Sequence, residues 1–123
     1  MEKITSPASC ITLHNTNLHY GTSQVLFDFS LSIPKGMIYG LLGPSGCGKT
    51  STVKLMAGIL EASSGAVYVL DQLMPQLSVM NRIGYMAQSD ALYPLLTAAE
   101  NLSFFSGLYG LSGAAAKEKI KEV

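Results

Sequence analysis

The chain has 123 residues, room for one modest domain, and its 8 Lys and Arg balance 8 Asp and Glu to a formal net charge of zero. With charged residues at 13%, that balance excludes both the basic face that nucleic-acid phosphates call for and a solvating acidic tail, so no nucleic-acid partner is expected. The composition is apolar, yet there is no uninterrupted hydrophobic stretch of the roughly 18 residues that a membrane helix needs.

The opening MEKITSPASCITL has one lysine and lacks the apolar core of a secretory signal, and its PASC is a poor lipid-attachment site, so the cytoplasm is the expected compartment. Cys10 and Cys47 form neither a metal pair nor a C-x-x-C and read as two reduced thiols. CITLHNTNLHYG predicts a short strand followed by a polar turn. FDFSLSI alternates strictly, with Phe27, Phe29, Leu31 and Ile33 on one face, which predicts a half-buried strand. Pro34-Lys35-Gly36 breaks it, and MIYGLL then reads as a continuous apolar strand of the kind buried on both sides of a parallel sheet.

LLGPSGCGKTS fills residues 41–51, and beyond it Val53, Met56, Ala57 and Leu60 fall at helical spacing. Gly65 ends a polar turn before the strand AVYVL, and RIGYM reads as another short strand. Thr97 and Glu100 predict a capping box that starts a helix through NLSFF. Ser112 is the expected cap of a last helix whose apolar side holds Ala116, Ile120 and Val123. Strands alternating with helices place the chain in the α/β class.

No packed core needs the composition of residues 41–51. Gly43, Gly46, Gly48, Lys49 and Thr50 match the phosphate-loop pattern G-x-x-x-x-G-K-[ST], with Pro44, Ser45 and Cys47 filling its variable positions. The pattern also has the context it requires, an apolar run before it and a helix after it. Glycines let successive backbone N–H groups curl around an oxyanion, and the start of the helix adds the positive end of its dipole. Lys49 supplies a full positive charge for the outer phosphates, and the Thr50 hydroxyl suits the oxygen shell of a magnesium ion bridging them. Ser51 offers a second hydroxyl nearby. By itself this loop does not choose between a kinase, a switch GTPase and a motor ATPase.

Tyr20-Gly21 upstream, GLLGPSGCGKTS, IGYMAQ ending in Gln88, and ALYPLLTAAENLSFFSGLYGLS together resemble the ATP-binding subunit of an ABC transporter, in particular those similar to bacterial multidrug and ABC-2 exporters. The resemblance runs from about Ile11 to Val123. It implies an α/β P-loop NTPase (RecA-like) core with an N-terminal antiparallel β portion, over about residues 1–90, and the start of a helical subdomain over about residues 91–123. It also implies ATP and Mg2+ as ligands. Tyr20 stands where an aromatic stacks on adenine, Val25 where a small apolar residue flanks the ring, and Gln88 where a glutamine reaches the magnesium and attacking-water region. From the residues alone, Tyr20 is equally a strand-end aromatic covering the core, and Gln88 an ordinary loop residue. The resemblance further implies a transmembrane permease partner, a head-to-tail second ATP-binding domain, a place at the cytoplasmic face of the membrane, and coupling of ATP hydrolysis to export.

Two imitations are set aside. VYVLD puts Asp71 after an apolar run, but Gln72 stands where a catalytic glutamate should follow, and Asp71 is expected to be a turn residue. LSGAA at 111–115 imitates the family signature L-S-G-G-Q but lies too close behind Gln88. The true signature, the aspartate-glutamate pair and the switch histidine normally lie beyond Val123, and His14 and His19 come too early to supply the last. Ala87 stands where many relatives have proline. The sequence therefore reads as the front half of an ATPase domain, with weak ATP binding and negligible turnover expected of it alone. A non-enzymatic nucleotide- or partner-binding product and a small P-loop kinase are the alternatives. Cys47, inside the anion loop beside Lys49, is either a small filler or a thiol whose alkylation blocks nucleotide entry.

Overall fold

The computed structural model describes residues 8–89 and 91–123. Residues 1–7, which open the stretch read above for a leader, and Asp90 lie outside the described residues. The chain divides into two compact units, Met1–Tyr85 and Met86–Val123.

The first unit is built on a four-stranded sheet in the order β2-β1-β3-β4, with every neighbouring pair antiparallel. Strands β1 (Ser9–Tyr20) and β2 (Ser23–Pro34) form a hairpin. Gly21 turns it at φ 58°, a positive value that the first central position of a tight hairpin favours. Four register shifts interrupt the ladder, and the middle two are bulges that hold left-handed residues. Between the pairs Leu13↔Leu31 and Thr16↔Phe29 the extra residue lies on β1, and between Thr16↔Phe29 and Leu18↔Leu26 it lies on β2. Asn15 and Asp28 occupy these bulges in left-handed conformations, and the Asn15 Nδ2 donates to Asp28 Oδ1 at 2.7 Å. The second bulge corrects the sequence expectation for FDFSLSI. Alternation holds from Phe29 to Ile33, but the added residue flips the earlier positions, so Leu26 is buried and Phe27 faces out.

Strand β3 (Ser64–Val69) pairs with β1, and a tight turn at Leu70-Asp71 leads to the short β4 (Gln72–Leu73). Both turn residues take positive φ, 50° and 63°, the backbone of a type I′ turn. Asp71 is thus the turn residue expected of it. Gly65 has φ 83°, and a Cβ there would fall on the backbone carbonyl oxygen of Asn15, so the β1 bulge and this glycine require each other.

Helix α1 (Lys49–Met56) packs against the sheet, and the one-turn α2 (Leu77–Met80) closes the core with Val79. Leu13, Leu18, Leu26, Leu55, Val67 and Val69 form most of that core. The inward face of α1 is carried by Thr52 and Leu55, with Val53 exposed, a small rotation from the face expected of the 53-56-57-60 spacing. Gly58 ends the helix with φ 73°; its N–H donates to the Leu55 carbonyl and the Ile59 N–H to the Lys54 carbonyl, the paired bonds of a Schellman end.

MIYGLL and RIGYM are not strands. Residues 37–44 and 83–87 have no regular secondary structure, and Ile38, Leu42 and Met86 are almost fully exposed. An extended segment needs a neighbour for its backbone N–H and C=O groups. No strand among the described residues pairs with either segment.

The second unit holds α3 (Ala98–Leu108) and α4 (Gly113–Glu122), which pack on each other. The expected capping box is formed. Thr97 Oγ1 accepts from the Glu100 N–H at 3.3 Å and the Glu100 carboxylate accepts from the Thr97 N–H at 2.8 Å. Those bonds, the backbone one foremost, hold the Glu100 pKa below the usual glutamate value. Asn101, buried, accepts from the Tyr93 N–H and donates to the Tyr93, Leu96 and Thr97 carbonyls, tying the preceding loop to α3. Tyr93 and Phe104 meet edge to face at 5.0 Å. Ser112 occupies the N-cap of α4 without a side-chain bond; of the expected apolar side, Ala116 is buried and Val123 is exposed. No helix among the described residues is long and apolar enough to cross a membrane.

Candidate functional site

The glycine loop of residues 43–48 runs directly into α1, and its local chemistry follows from three residues. Gly46 and Gly48 take φ 80° and 92°, conformations that side-chain-bearing residues rarely adopt. Between them the Cys47 N–H donates to the Pro44 carbonyl at 3.3 Å, closing the loop on itself. The Lys49 ammonium lies within that curl and donates to the Gly43 and Pro44 carbonyls, both at 2.6 Å. Its third proton has only a weak sulfur partner, Cys47 Sγ at 3.7 Å.

The start of α1 adds donors. The Thr52 N–H bonds the Gly48 carbonyl at 2.8 Å, so the N–H groups of Lys49, Thr50 and Ser51 precede the helical ladder and stand at the positive end of its dipole. The Thr50 hydroxyl is on the exposed side of this first turn. The arrangement presents a cation, several N–H donors and one hydroxyl from a single short segment, which is suited to an anion with several oxygens.

The hairpin supplies the wall. A Cβ on Gly48 would stand 2.8 Å from Leu26 Cδ2 and 3.3 Å from Val25 Cγ1, so the loop rests directly on β2. At the end of β1, Tyr20 is 47% exposed, and its hydroxyl shares a hydrogen bond with Ser51 Oγ at 3.2 Å. Tyr20, Val25, the glycine loop and Ser51 are therefore brought together in one unit. Gln88 belongs to the second unit, on an irregular exposed stretch. Sequence reasoning missed Leu26 as the residue beneath Gly48, because strict alternation assigned Phe27 to the inside; it also missed the bond between Ser51 and Tyr20, for which no spacing rule exists.

The donor set bears on the implied magnesium. Among the described residues there is no group of three His, Cys, Asp or Glu able to hold a metal ion. Thr50 offers one hard oxygen beside an anion loop, which fits an ion held chiefly by phosphate oxygens and water.

This fold and this loop define a P-loop nucleotide-binding class. The ABC transporter family model matches residues 26–123, and the chain belongs to that family. It is 46% identical over 96 residues to the probable multidrug ABC transporter ATP-binding protein YbhF of Escherichia coli (strain K12), a match covering 76% of this chain and 17% of that protein. It is 34% identical over 113 residues to the Fe(3+) ions import ATP-binding protein FbpC of the same strain, covering 91% of this chain and 32% of that one. A solved dimeric structure of the ATP-binding cassette MJ0796 in a post-hydrolysis state, bound to ADP and Pi, superposes with a TM-score of 0.75 at 25% identity over 91% of this chain and 54% of that one. The chain thus spans about a sixth to about a third of the length of these two curated relatives.

Proposed function

We propose that this chain contributes the ATP-gripping part of an ABC transporter ATPase subunit that powers export through a membrane permease. The observation that carries the reading is the Lys49 ammonium held within the loop curl by the Gly43 and Pro44 carbonyls, at the start of α1 and beside Tyr20. Residues 43–51 take the phosphates, with Lys49 on the outer ones and the backbone N–H groups around them. Tyr20 stacks on adenine and Val25 flanks it. Thr50 would be one protein ligand of Mg2+, and the bound ion would offset phosphate charge. Gln88 has the magnesium and water role that sequence resemblance gives it. Export is favoured over import because the multidrug relative is 46% identical and the iron importer 34%.

Tyr20, Val25 and residues 43–51 grip ATP, and none of them is a carboxylate that could act as a base on water. Of the three described acids of the first unit, Asp28 is bonded to Asn15, Asp71 forms a hairpin turn, and Glu61 is exposed in the stretch between α1 and β3. The partners are a permease at the cytoplasmic face of the membrane and a second ATP-binding domain arranged head to tail. In the non-enzymatic alternative, the chain binds nucleotide or a partner without a transport cycle. In the kinase alternative, phosphate passes to an acceptor.

Magnesium-ATP titration, run beside an assay of phosphate release and of transfer to small acceptors, tests the proposal. Saturable ATP binding by residues 1–123 with release at background is the expected result. Absence of binding at millimolar ATP contradicts the proposal, and transfer to an acceptor favours the kinase.

A further inference from the structure

We propose that Ser51 is a positioning residue that fixes the Tyr20 ring for adenine through the hydroxyl–hydroxyl bond, and so makes affinity for the base depend on the first turn of the phosphate-loop helix. The inference rests on the proposed reading of Tyr20 as the adenine platform.

Tyr20 closes β1 next to the turn at Gly21 and is about half exposed, so its ring has little packing to hold it. An exposed aromatic on a hairpin end has rotamer freedom that stacking must remove. The bond from its hydroxyl to Ser51 Oγ, 3.2 Å long, removes part of that freedom in advance. Ser51 is itself well placed to act as an anchor. It is partly buried in the first turn of α1, one residue beyond Thr50, and the helix is fixed to the same hairpin where Gly48 rests on Val25 and Leu26. The ring is therefore tied at its outer end to the element that carries the phosphate donors, while its backbone belongs to the sheet. Base platform and phosphate loop become one rigid construction.

A direct role for the Ser51 hydroxyl on phosphate predicts something different. Its removal would weaken ATP and inorganic tripolyphosphate alike. A role through Tyr20 weakens ATP selectively, because tripolyphosphate has no base to stack.

The test is calorimetric titration of the intact protein with ATP and with inorganic tripolyphosphate, for wild type, Ser51→Ala, Tyr20→Phe, the double variant and Ser51→Thr. An exposed hydrogen bond of this length supports a loss of about threefold. The expected result is a fall of about threefold in the ratio of ATP to tripolyphosphate affinity for each single variant, no further fall in the double variant, and restoration in Ser51→Thr, which keeps the hydroxyl. Equal losses for both ligands, additive losses in the double variant, or a normal ratio in Tyr20→Phe overturn the inference. If wild type binds tripolyphosphate but shows no preference for ATP, the adenine platform itself is wrong, and the inference fails with it.

Discussion

Single residues in the loop are constrained from more than one side. Lys49, the proposed phosphate cation, is also the strap across its own loop carbonyls, so its position is set before a phosphate arrives. Tyr20 is less constrained, and its contribution is correspondingly separable. Stacking on an aromatic is worth about 1–3 kcal/mol per base, so Tyr20→Ala is expected to weaken ATP binding by about 5- to 150-fold with the fold intact, measurable by titration alongside a thermal melt. Cys47 allows a second prediction. Its sulfur occupies the space that a Cβ on Gly43 would need, at 2.6 Å, and is exposed. An alkyl group there projects into the phosphate loop, so modification should abolish ATP binding and bound ATP should slow modification. Unchanged affinity after complete alkylation would show the thiol to be mere filler.

At the scale of elements, what was legible in the sequence is what local chemistry decides. The Thr97–Glu100 box, the loop-to-helix junction at Lys49 and the turn at Asp71 all form as their residues dictate. Position along the β2 face was not legible, because a bulge at Asp28 depends on Asn15 across the ladder and no residue count reveals it. The bulge pair has a measurable consequence at Gly65, whose missing Cβ makes room for the Asn15 carbonyl. Gly65→Ala meets backbone, which cannot step aside, and is expected to destabilise the first unit by more than about 2 kcal/mol in a denaturant melt.

The α3 cap is equally testable. The Glu100 pKa lies below its usual value of 4.5 because the charged form accepts from Thr97. A lowered folded pKa means that the carboxylate stabilises α3 above the unfolded value and ceases to do so as pH falls through the folded one. Helical circular dichroism should therefore decline on acidification below the usual glutamate range, and this decline should be reduced in Glu100→Gln. Thr97→Ala, losing the other half of the box, should cost α3 about 1 kcal/mol at neutral pH.

At the scale of the whole chain, the apolar runs MIYGLL and RIGYM show where sequence reasoning meets its physical boundary. Their composition encodes strands buried on two faces, while Ile38 and Leu42 lie exposed because nothing in the described residues pairs with them. Residues 1–123 on their own should associate through these segments, and a Lys substitution at Leu42 should raise the concentration at which light scattering appears.

The glycine loop does not depend on those partners. Its curl, its lysine strap and its seat on Val25 and Leu26 all lie within the first unit. The most direct measurement of the account is therefore the affinity for magnesium-ATP of wild type and Lys49→Ala, with thermal melts to show that both are folded. Losing a charge-assisted contact to phosphate should weaken binding by about 10- to 150-fold. Equal affinities in two folded proteins would mean that ATP does not bind at this loop.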